Sequence, residues 1–104
     1  REDGYTFAAS NAALALAQLG ETKDSVAEME KISRRAPGNA DMRAVLAALY
    51  WSEGRKEDAE REWEFACDRI RVGCSKYKDK KWVTEVRRWP PKMVALLDAF
   101  INIR

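Results

Sequence analysis

Apolar residues along this chain recur at helical spacing and are interrupted by short polar turns, which predicts helices over about 5–19, 23–35, 40–53 and 56–71. Met42, Val45, Leu46 and Leu49 mark the inward face of the third. Asn39, after Pro37-Gly38, is its expected N-cap. Gly20 and Gly54 stand where a left-handed residue would end the first and third helices. Farther on, Trp82, Val83, Val86 and Trp89 predict a short amphipathic helix over 79–88. Pro90-Pro91 then interrupts the chain, and either proline can open a last helix. That helix carries the stripe Met93, Leu96, Leu97, Phe100 and Ile101, widened by Val94 and Ile103. The predicted fold class is all-α.

The pattern repeats. Ala13 recurs as Ala47, Leu16 as Tyr50, Gly20 as Gly54 and Met29 as Trp63, each 34 residues on. In the second copy Leu46-Ala47-x-x-Tyr50 leads to Gly54, then Ala59-x-x-x-Trp63 and Ala66. The first has Ala12-Ala13-x-x-Leu16, Gly20, Ser25-x-x-x-Met29 and Pro37. Ala47 and Ala59 are small where paired helices must cross closely, and Tyr50 and Trp63 fill the space beside them. This spacing resembles the tetratricopeptide repeat, a helix–turn–helix unit of 34 residues. The resemblance implies two repeats at about 6–39 and 40–73 within residues 1–73, stacked as an α–α superhelix. Residues 74–104 then form a basic connector and a C-terminal capping helix. Ala9 and Arg43 replace the family's early Trp, and Arg71 replaces the closing proline, so the last repeat helix is expected to run on toward Gly73.

Val72-Gly73-Cys74, Arg87-Arg88-Trp89-Pro90-Pro91-x-Met93 and Leu97-x-x-Phe100 carry a second resemblance, to the tail of a small chloroplast and cyanobacterial tetratricopeptide family. It implies a thylakoid-associated factor that assembles or maintains photosynthetic complexes, and it adds no catalytic residue. The chain starts at Arg1 with neither Met nor an apolar leader, so it reads as a fragment of a longer protein. No stretch reaches the length of about 18 apolar residues that a membrane span needs.

Composition narrows the chemistry. The 104 residues contain no histidine, which removes the commonest general base, proton shuttle and zinc ligand together. Glu28, Glu30, Glu57, Glu60, Glu62 and Glu64 alternate with Lys31, Arg34 and Arg61, as ordinary helical ion pairs do. No phosphate loop, metal-ligand cluster or nucleophile–base pair is present in the sequence. The expectation is a non-enzymatic domain with no cofactor and no metal. Cys67 and Cys74 are too few for a disulfide framework or a Cys-only zinc site. On one continuous helix they would lie roughly 10 Å apart, beyond bridging range, so buried or idle thiols are expected. A bridge requires the helix to end between them, which Gly73 permits.

The net charge of +2 conceals a division: residues 1–66 carry −4 and residues 67–92 carry +6. In the basic part Lys76, Lys78, Lys80, Lys81, Arg87, Arg88 and Lys92 interleave with Tyr77, Trp82 and Trp89. Such a segment could hold RNA, with rings stacking on bases, an anionic membrane surface, or an acidic protein. The plainer reading has solvated lysines and core aromatics, and the sequence pI of about 8.6 lies below the strongly basic range.

Tetratricopeptide arrays bind peptides or helices in a concave groove lined by the first helix of each pair. By the resemblance that lining is Phe7, Ser10, Leu14, Ala17 and Gln18, followed by Asp41, Ala44, Ala48, Trp51 and Ser52. It is largely apolar, with Trp51 as its natural anchor. A last helix packed only on the fourth would leave this groove open; one folded into it would close the domain. The uncovered Ala-rich first helix could also make the isolated fragment a homodimer. The leading expectation is a protein–protein interaction module, a scaffold or adaptor for an unidentified peptide or helix.

Overall fold

Gly20 and Gly54 take left-handed φ values of +89° and +80° in the computed structural model, which describes residues 2–70 and 73–103, with side chains from Thr6 onward. A residue with a Cβ would pay about 1 kcal/mol there. Each glycine closes the same paired-bond helix end, 34 residues apart. Glu21 N donates to Leu16 O at 2.9 Å and Gly20 N to Ala17 O at 3.0 Å. Arg55 N donates to Tyr50 O at 2.9 Å and Gly54 N to Trp51 O at 3.0 Å. These ends define α1 (Glu2–Gln18), α2 (Thr22–Arg35), α3 (Ala40–Ser52) and α4 (Lys56–Arg69). The Asn39 side chain accepts from Asp41 N at 2.9 Å and caps α3 as predicted. Among the described residues every regular element is helical.

The helices pair in hairpins, α1 on α2 and α3 on α4, and α2 packs on α3. Ala13, Ser25, Ala47 and Ala59 are all fully buried, so the small residues lie where the helices approach. Met29 and Trp63, equivalent by the 34-residue shift, are buried too. Ser25 differs from Ala59 in donating its hydroxyl to Ala13 O at 2.7 Å. Arg43 ties the second hairpin together. It pairs with Glu62 at 2.9 Å and lies 3.9 Å from the centre of the Phe65 ring.

α4 ends at Arg69, short of the predicted run toward Gly73; Arg71 and Val72 lie outside the described residues. Gly73 turns the chain back over the helix end, its N donating to Ile70 O at 2.8 Å. A Cβ at Gly73 would stand 2.0 Å from Ala66 O, so only glycine fits this approach. With the helix ended, Cys67 and Cys74 come to a Cα separation of 4.7 Å and form a disulfide. The expectation of free thiols is thereby corrected.

The predicted 79–88 helix is present but shorter: residues 80–86 are helical, wound as a π-helical turn over Trp82–Val86, and a 3-10 turn (Lys76–Lys78) precedes them. Arg87 N bonds Trp82 O at 2.9 Å, and Trp89 N reaches back to Val83 O at 3.1 Å. The wider winding departs from the 3.6-residue period the apolar spacing suggested. α5 (Pro91–Ile103) opens on Pro91 and packs on both α3 and α1. Lys92 N donates to Gln18 Oε1 at 2.9 Å, and Phe100 meets Trp63 edge-on with ring centres 5.8 Å apart. The last helix is therefore folded back onto the face that α1 and α3 share.

Candidate functional site

Asp41 is the polar centre of that shared face. It sits in the first turn of α3, where the helix dipole favours a carboxylate, and its side chain is 3% exposed. Its Oδ1 accepts from Tyr77 OH at 2.9 Å, Arg87 Nε at 2.9 Å and Trp89 Nε1 at 3.1 Å. Its Oδ2 accepts from Ser10 Oγ at 2.8 Å and from a terminal nitrogen of Arg87 at 2.7 Å. One carboxylate thus gathers α1, α3 and the whole connector. The bidentate guanidinium compensates its burial, since a buried carboxylate persists only when paired and bonded. Arg88 turns the connector at this point with φ of +62°, uncommon for a residue with a side chain. Its two neighbours in sequence, Arg87 and Trp89, both bond Asp41. Burial and the adjacent Asp41 charge push the Tyr77 hydroxyl far above its ordinary range. Tyr50, about one turn before Gly54, is raised likewise by burial and by its bond to Glu30.

The predicted groove is consequently filled. Ser10, Leu14, Ala17, Asp41, Ala44 and Ala48 are buried, and Trp51 is half-buried against the core. Gln18 and Ser52 stay exposed, but Gln18 bonds Lys92 N and Ser52 Oγ bonds Leu49 O. Phe7 is 48% exposed at the edge, 5.2 Å beneath the Arg87 guanidinium. Of the two arrangements of the last helix, the structure takes the closed one: α5 and the connector occupy the groove. A last helix this broadly apolar finds its cheapest burial there.

Of the basic segment, Lys76, Lys78, Lys80, Lys81, Arg88 and Lys92 are exposed. Arg87 is not a surface cation: its side chain is 11% exposed and bound to Asp41. Tyr77 and Trp89 are buried, and Trp82 is half-buried edge-on to Tyr77, so the interleaved rings belong to the core. Lys76 lies 5.5 Å from the Trp82 ring centre. The hub partners Ser10, Tyr77 and Trp89 were not legible in the sequence as partners of Asp41. The signal available was a lone carboxylate beside an apolar stripe, which is ordinarily solvated.

The outer side of α1 remains uncovered. Phe7, Ala8, Asn11, Ala12, Ala15 and Leu19 are exposed, and no charged residue occurs from Gly4 to Gly20. Shifted by 34 residues, Ala8, Ala12 and Ala15 correspond to Met42, Leu46 and Leu49, all fully buried in α3. α2 and α4 present charged outer faces instead, with Lys23, Glu28, Lys31, Glu57, Arg61 and Glu64 exposed. Among the described residues there is no cluster of acidic or cysteine side chains that could hold a metal. No described helix is long and apolar enough to cross a membrane. No family model, curated protein or solved structure matches the chain.

Proposed function

We propose that this chain is a non-enzymatic protein–protein interaction module of the tetratricopeptide type, working as an adaptor. The 34-residue equivalences support the repeat assignment. The tail resemblance points to assembly or maintenance of thylakoid photosynthetic complexes in the chloroplast. The observation that carries the reading is the uncharged, uncovered outer face of α1. Its counterpart on α3 is covered by packed helices, and a partner helix laid on α1 would complete the same layer. An exposed face without charge over three turns is unusual on a helix that has no partner. The filled groove moves binding from the Trp51 side to this outer side.

The test is capture from detergent-solubilised thylakoids by the wild-type chain and by Ala12→Glu/Ala15→Glu. The variant keeps its helicity and loses its partners. A variant that retains every wild-type partner removes α1 from the mechanism. The second reading, binding to an anionic membrane surface, has the exposed cations Lys76, Lys81, Arg88 and Lys92 in its favour. Sedimentation with phosphatidylglycerol vesicles across a salt series measures it, and binding that persists unchanged at high salt counts against it.

A further inference from the structure

A small pocket lies between the connector and α5, away from the outer face of α1. Its walls include Val83, Val94, Leu97 and Ile101, with Asp98 and Asn102 also in the lining, and the exposed Lys78 and Lys80 border it. Its volume is about 70 Å³. That is about half the ~150 Å³ cavity that accommodates benzene, so it suits a branched aliphatic tip and excludes an aromatic ring or a nucleobase. The Tyr77 hydroxyl is committed to Asp41. Lys78 makes no ion pair among the described residues. Lys80 Nζ lies 3.7 Å from Asp98 Oδ2 with both side chains exposed, a contact that leaves most of the lysine charge available.

We propose that this pocket binds an acidic peptide segment by inserting one leucine, isoleucine or valine side chain, while Lys78 and Lys80 pair with flanking carboxylates. The charge at the border selects the peptide's sign, and the pocket volume selects its anchor. A lipid headgroup supplies the negative charge without a branched tip to insert. This proposal deepens the interaction-module reading and rests on it, giving that module a second contact on a different side from α1.

The experiment is a methyl-NMR titration of the full chain with the acetylated, amidated peptide Glu-Glu-Leu-Glu-Glu. The methyl resonances of Val83, Val94, Leu97 and Ile101 shift saturably. Replacing the peptide leucine by alanine weakens binding about tenfold through lost apolar burial. Replacing its glutamates by lysines weakens it at least as much. Lys78→Glu/Lys80→Glu weakens it about tenfold, and Asp98→Asn tightens it about threefold by removing a like charge. All three positions are solvent-facing, and unchanged far-UV circular dichroism confirms that the variants fold. Unmoved methyls, equal binding of the alanine peptide, or weaker binding by Asp98→Asn overturns the proposal. So does perturbation of these methyls by phosphatidylglycerol vesicles but not by the peptide. Loss of extract partners from the α1 variant, with the pocket silent, sinks the pocket alone and leaves the module reading standing.

Discussion

The hairpins and the C-terminal strap are held by different physics. In α1–α4 the adhesion is distributed: small residues at each crossing, two equivalent left-handed glycine ends, and buried Met29 and Trp63 in matching places. From Gly73 onward it is concentrated. A disulfide fastens one end, α5 buries an apolar stripe, and the connector hangs on one carboxylate. Distributed apolar contacts tolerate single losses, whereas a buried charge fails as a unit. A strap built this way closes the shared face of α1 and α3 in one defined position.

The sharpest break in that comparison is Asp41→Ala. It leaves the Arg87 guanidinium buried without its partner and three further donors, Ser10, Tyr77 and Trp89, without their acceptor, so urea unfolding should show a loss of about 3–5 kcal/mol. Loss nearer 1 kcal/mol would mean the strap is held by α5 alone. Reducing the disulfide, or replacing both cysteines by serine, lifts a constraint on a short loop. The expected cost is about 2–3 kcal/mol, read as a lower denaturant midpoint. In the hairpins, Ser25→Ala converts the first crossing to the composition of the second and costs about 1 kcal/mol, the value of its one hydrogen bond. Tyr50 and Tyr77 both have hydroxyl pKa values raised by folding, so the native state holds their protons more tightly than the unfolded chain. Their contribution is complete below about pH 10 and is lost progressively as pH rises above it. Denaturation midpoints that stay level from pH 9 to 11.5 would contradict this. The smallest effect on folding belongs to Ala12→Glu/Ala15→Glu, within about 0.5 kcal/mol because both positions face solvent, even though partner capture is lost.

Much of the hairpin region was legible beforehand because its determinants are local. Gly20 and Gly54 terminate helices for reasons contained in a single residue, and Asn39 caps α3 through an atom two residues away. Pro91 opens α5 because its missing N–H costs nothing in a first turn. The candidate site was less legible. The sequence pattern assigns Asp41 to a binding groove and Arg87 to a basic surface, whereas in the fold they are each other's partners across 46 residues. Seven residues separate Cys67 from Cys74, which is too far along one helix and near enough once Gly73 folds the chain back. The apolar period over 79–88 was real, but a π-helical turn absorbed it to bring Arg87 and Trp89 to the same carboxylate.

The sequence by itself determined that the chain is helical, where most helices begin and end, and which residues can sit at a close crossing. Those properties follow from backbone dihedral preference, capping groups and side-chain volume within a turn or two. Only the tertiary structure decided that the face shared by α1 and α3 is closed, that Arg87 is buried and that the outer side of α1 is open. Each of those outcomes depends on which of several apolar surfaces α5 covers, a competition between distant segments that no local pattern encodes.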